Sequence, residues 1–77
     1  MQSGFASRFA AWRAARGLTL QEVASVIGVS RQAISYVEAG TNDLSVGKLD
    51  TICRDAFGID LPTFFGPLPE AKVKEGG

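Results

Sequence analysis

The chain has 77 residues, 45% of them hydrophobic, and no net charge, which describes one small domain near the lower limit at which a single apolar core folds alone. It has no histidine and one cysteine, Cys53, so a zinc site, a His-based catalytic triad and an internal disulfide are excluded, and neither catalysis nor a metal or cofactor is expected. No apolar run approaches a membrane span and the N-terminus lacks a signal-peptide pattern, so a cytoplasmic protein without membrane contact is expected.

The first helix is predicted from about Ser3 to Arg16. Phe5, Phe9 and Trp12 fall at i, i+4 and i+7, Ala6 and Ala10 widen the apolar face, and Gly17 stops the helix in the manner of a left-handed C-terminal cap. Thr19 and Glu22 then form a T-x-x-E capping box, with Leu18 and Val23 as the hydrophobic staple around it. The same staple spacing recurs as Val29/Ile34 around Ser30, Leu44/Leu49 around Ser45 and Ile59/Phe64 around Asp60. Four staples place four further helix starts, near residues 20, 31, 46 and 61. The fourth helix is predicted to bury Leu49, Ile52, Cys53 and Ala56 and to stop at Gly58, which makes Cys53 a buried, inert thiol. The fifth is short, LPTFF, with Pro62 tolerated in its first turn. The expected fold is all-α: a compact five-helix domain over residues 1–66, followed by an exposed tail over 67–77 in which Leu68 and Val73 could pack against a partner.

Thr19 to Gly40 is the stretch that points to function. Leu20, Val23, Ala24 and Ile27 make one apolar face, Gly28 breaks the run, and Ser30 can cap the helix that follows. In that helix Ile34 and Val37 point one way, whereas Arg31, Gln32, Ser35 and Tyr36 lie on the opposite side. A helix seated by two apolar residues, with Arg and Gln at its first two positions, is shaped to enter a DNA major groove. Arg can bond guanine bidentately, and Gln can do the same for adenine. Taken alone, the same four residues also fit the solvated face of a core helix.

At these residues the chain resembles the helix-turn-helix of the Cro and phage-repressor superfamily, the XRE-type regulators. Small Ala24 lies where the two helices approach, Gly28 follows four residues later, Ile34 and Val37 seat the recognition helix, and Glu38-Ala39-Gly40 resembles the family's Glu-x-Gly ending. With Gly17-Leu18-Thr19 ahead and Leu49, Ile52, Ala56, Phe57 and Gly58 behind, the resemblance covers roughly residues 5–66. It implies a repressor-like fold in which the second and third helices form the helix-turn-helix. It implies base reading by Arg31, Gln32 and Tyr36, while Ser35 is short enough to touch a phosphate or a thymine methyl. It also implies that Arg13 of the first helix pairs with Glu38, tying the reading helix to the scaffold; the alternative is two separate surface charges.

Two positions depart from the family pattern. Leu20 stands where many relatives carry a phosphate-holding glutamine, leaving only the backbone N–H groups at the start of that helix. Thr41-Asn42-Asp43 stands where relatives often carry lysines or arginines, and Asp43 repels phosphate. The expected backbone contacts are Arg8, Arg16, the N–H groups at Leu20, Ser30, Thr41, Asn42 and Lys48. The zero net charge is itself polarised. Residues 1–40 carry Arg8, Arg13, Arg16 and Arg31 against Glu22 and Glu38, whereas residues 41–66 carry Lys48 and Arg54 against Asp43, Asp50, Asp55 and Asp60. Phosphate attraction is therefore expected to be modest.

The expected partner is double-stranded DNA, bound by a homodimer on an inverted repeat, most simply as a repressor of phage, restriction-modification or mobile-element type. Phe64, Phe65 and Leu68 are the expected dimer residues, with Phe65 alternatively closing the monomer core. The competing expectation is an antitoxin, a protein-interaction module whose tail folds on a toxin partner.

Overall fold

The computed structural model describes residues 4–69. Within them the chain forms α1 (Phe5–Ala15), α2 (Leu20–Ile27), α3 (Arg31–Ala39), α4 (Val46–Ile52, continued by a wide π-type turn over Cys53–Phe57) and α5 (Leu61–Phe65), with no strand among the described residues. Ser3 as a helix start, and the tail from residue 70 onward with Val73, lie outside the described residues.

Each of the four later helices begins at its predicted cap. The Thr19 hydroxyl accepts from Glu22 N–H at 3.0 Å, and the Glu22 carboxylate accepts from Thr19 N–H at 2.8 Å, so the capping box is complete. Ser30, Ser45 and Asp60 accept from the N–H groups of Ala33, Lys48 and Thr63 at 3.0, 3.2 and 3.0 Å. These bonds satisfy donors that a helix N-terminus otherwise leaves orphaned. The other staple members, Leu18, Val29, Leu44 and Ile59, pack half-buried against the core.

The first three helices stop alike. Leu18, Val29 and Thr41 N–H groups reach back five residues to the carbonyls of Arg13, Ala24 and Tyr36, at 3.2, 3.1 and 3.0 Å. The residue before each donor is glycine with positive φ. At Gly28, where φ is +71°, any L side chain would be strained by about 1–2 kcal/mol, and that turn sets the angle between α2 and α3.

The fourth stop is one residue wider, since Ile59 N–H reaches back to Cys53 O at 2.9 Å, a separation of six. The extra residue is the π-type turn, and the buried face differs from the expected one. Phe57, 2% exposed, completes the stripe begun by Leu49, Ile52 and Cys53, while Ala56 stays half-buried. Phe57 follows Cys53 by four residues and so stays on the face that Leu49 and Cys53 bury.

The core joins all five helices. Phe9, Trp12, Val23, Ala24, Ile34, Val37, Leu49, Ile52, Cys53, Phe57 and Phe64 are all at most 5% exposed. Burying a large apolar side chain contributes roughly 1.5–3 kcal/mol. The aromatic centre is three-way: Phe9 meets Phe57 edge-on at 5.6 Å, and Phe57 stacks on Phe64 at 6.4 Å. Cys53 is fully buried, and burial, with Asp50 and then Asp60 nearby, pushes its thiol up to about 11. Phe64, expected at a dimer surface, is 0% exposed and belongs to this core. Its aromatic neighbours already enclose it, so it has no face left for a partner.

Candidate nucleic-acid interface

The geometry of α3 follows from its short sequence. Ile34 and Val37 are 0% and 2% exposed and pin one side of the helix to α2 and α1. With only nine residues in the helix, the remaining side chains are forced outward. Arg31, Gln32 and Tyr36 are exposed, and Ser35 is half-buried between the two faces. Arg31 and Gln32 occupy the first two helical positions, at the end where backbone N–H groups and the helix dipole favour an anion. An arginine and an amide so placed can reach base edges while the helix end approaches a phosphate.

The C-terminal end of α3 is held by charge. Arg13 donates Nε–H to Glu38 Oε2 at 2.5 Å and Nη2–H to Glu38 Oε1 at 3.0 Å, a bidentate pair between α1 and α3. Arg13 Nη1 also donates to Leu18 O at 2.8 Å, so one guanidinium fixes α1, the α1–α2 turn and α3 together. The hydrogen bond to Glu38 holds this guanidinium above its ordinary range against the opposing cost of burial, and the charge attraction adds to it. The fork geometry explains why arginine rather than lysine stands here.

The residues expected at the DNA backbone divide into two groups. Ser30, Thr41, Asn42 and Lys48 are exposed. Thr41 spends its hydroxyl proton on Tyr36 O at 3.2 Å, and Ser30 accepts from α3 while keeping its own proton to donate. Leu20 is half-buried against the core, so what it offers is its N–H at the start of α2.

Arg8 and Arg16 are already bonded within the fold. Arg8 Nη1 donates to Phe64 O and Gly66 O, at 3.0 and 2.6 Å, and Arg16 Nε donates to Phe57 O at 2.7 Å. Arg16 also lies over the Trp12 ring, 5.2 Å from its centroid. Both guanidiniums therefore serve carbonyls at the ends of α4 and α5. Nothing in the sequence near either arginine marks this, since the accepting carbonyls lie 41 to 58 positions away.

Arg54 lies on the acidic half, in an exposed pair with Asp50 at 3.0 Å. Among the described residues, Arg31 and Lys48 are then the cations with neither an ion pair nor a side-chain hydrogen bond.

Away from α3 the surface carries one apolar concavity that sequence reasoning did not find. It is lined by Phe5, Asp43, Leu44, Val46, Leu49 and Phe65. Val46 is 70% exposed, and Phe65 and Leu68 are each 55% exposed. No described helix is long and apolar enough to cross a membrane.

A family model described as helix-turn-helix matches residues 9–64, a span from the middle of α1 to α5. No curated protein and no solved structure gives a match.

Proposed function

This chain belongs to the XRE/Cro-type helix-turn-helix family of DNA-binding transcriptional regulators, and we propose that it represses transcription as a homodimer on an inverted-repeat operator, reading bases with Arg31, Gln32 and Tyr36. The observation that carries this reading is the division of α3. Ile34 and Val37 are buried and Glu38 is locked to Arg13, while the three large polar side chains of the same helix are exposed at its opposite face. Backbone contacts fall to Lys48, Asn42, the Ser30 hydroxyl and the N–H groups at Leu20, with Ser35 at the groove edge.

Pairing is assigned to Phe65 and Leu68, joined by Val46, because these are large apolar side chains left in water on a chain whose other large apolar groups are mostly covered. Two recognition helices related by a twofold axis would meet half-sites one DNA turn apart, roughly 34 Å centre to centre. Selection from a random DNA pool tests the whole reading. An enriched palindrome with half-sites one turn apart is expected, and its enrichment should be lost with Arg31→Ala. Recovery of no common sequence would refute base reading.

A further inference from the structure

α5 has five residues, far too few to persist as a helix on propensity alone. Its last carbonyls are nevertheless held. Phe64 O accepts from Arg8 Nη1 at 3.0 Å and from Trp12 Nε1 at 3.2 Å, and Gly66 O accepts from the same Arg8 nitrogen at 2.6 Å. These bonds bridge 52 to 58 positions of sequence, so they fix α5 against α1 rather than against its own neighbours. Gly66 is shaped to the same arrangement, because a Cβ there would lie 3.3 Å from Pro62 O and 3.5 Å from Thr63 O. Phe65 stands between the two clamped carbonyls, with its ring against Phe64 at 4.9 Å and its outer side in water beside the Val46 concavity.

We propose that Arg8 is a positioning residue for the pairing surface: by clamping the C-terminal carbonyls of α5 it fixes where Phe65 is presented, so dimerisation depends on a cation of α1 that never touches DNA. The dependence on dimerisation rests on the pairing assigned above to Phe65; the clamp itself does not. The cation and the C-terminal carbonyls complement each other electrostatically, and partial burial strengthens both bonds. Trp12 is the anchor for the same carbonyl but also fills the core, which makes Arg8 the member that can be changed with the core intact.

Three full-length variants test the proposal. Arg8→Met keeps the aliphatic stem and removes the donors, Arg8→Lys restores a cation without the fork, and Gly66→Ala disturbs the acceptor side. Amide hydrogen exchange reads the clamp directly. In Arg8→Met the amides of Phe64 to Gly66 should exchange about tenfold faster while those of α2 and α3 keep their protection. Arg8→Lys should fall between. Sedimentation should show dimer dissociation raised about tenfold in Arg8→Met and in Gly66→Ala, while affinity for a single half-site stays within about twofold of the parent chain.

Unchanged protection at Phe64 to Gly66, or an equal loss in α2 and α3, overturns the clamp. A loss of half-site affinity with a shallower salt dependence in Arg8→Met would place Arg8 at a phosphate and overturn the proposal. A parent chain that stays monomeric on its own and on operator DNA overturns the dimer reading and the link to pairing, while the exchange data still decide the clamp.

Discussion

Arg31 and Gln32 are exposed at the first turn of a helix whose opposite face is fixed. A side chain on a rigid helix loses less freedom on binding than one on a loop, and a bidentate contact to the wrong base leaves donors unpaired. Arg31→Ala or Gln32→Ala is therefore expected to cost about 1–3 kcal/mol on the cognate site and to relax preference at one or two base positions. Competition binding against single-base variants of the selected site measures both effects. Glu38 acts one turn beyond, through Arg13. The side chains of this pair are 23% and 12% exposed, so removing one partner strands a partly desolvated charge. Arg13→Met and Glu38→Gln should each destabilise by about 1–3 kcal/mol and couple by a comparable amount in a double-mutant cycle. Additive losses in denaturant melts would show that the bidentate bond adds nothing to the fold. The exposed face of α3 was legible from the spacing of Ile34 and Val37, whereas the bond between Arg13 and Glu38, 25 residues apart, was expected only from the family resemblance. The bonds of Arg8 and Arg16 were not legible, because a guanidinium aimed at phosphate and one aimed at a carbonyl fifty residues away have the same local sequence.

Helix starts were legible for a similar reason: a cap and its staple lie within six residues of each other. All four starts coincide with a side-chain oxygen accepting from the third residue beyond it. The wide turn at the end of α4 was hidden, because Gly58 marks where the helix stops but no residue before it marks the change from i→i−4 to wider bonding. α5 is the element most dependent on its cap. Hydrogen bonding from the Thr63 side chain and backbone N–H holds the Asp60 carboxyl below the usual aspartate range, against the opposing cost of burial. A carboxyl with a lowered folded pKa contributes stability above its unfolded value, and that contribution is lost as pH falls through the folded value. The parent chain should therefore lose stability relative to Asp60→Asn as pH is lowered from about 5 through the ordinary aspartate range near 3.9 and below. Thermal melts of both chains across that range provide the check, and parallel curves would show that the cap does not titrate with folding.

At the scale of the whole molecule the question is how a chain without net charge holds a polyanion. Its positive half carries four arginines, but three of them are engaged internally: Arg13 with Glu38, Arg8 with the end of α5, and Arg16 with the end of α4. Charge counting along the sequence thus overstates how many guanidiniums are free to bond phosphate directly, although Arg8 and Arg16, bonded to neutral carbonyls, keep their charge. Among the described residues Arg31 and Lys48 remain, with Asp43 opposing them in the loop between α3 and α4. Each phosphate neutralised contributes a slope of about −0.9 to log affinity against log salt. Two such cations per copy, doubled in a dimer, predict a slope of roughly −2 to −4, shallower than if Arg8 and Arg16 also bonded phosphate. Nonspecific binding should accordingly be weak, and discrimination should rest on base contacts and on hydrogen bonds from Asn42, Ser30 and the start of α2. Titrations of operator and scrambled DNA over a range of salt concentrations measure both quantities. A slope near −10 with tight binding to scrambled DNA would mean that Arg8 and Arg16 leave their carbonyls for phosphate. In that case α5 should lose protection from hydrogen exchange when DNA binds, whereas a slope in the expected range requires its protection to be unchanged.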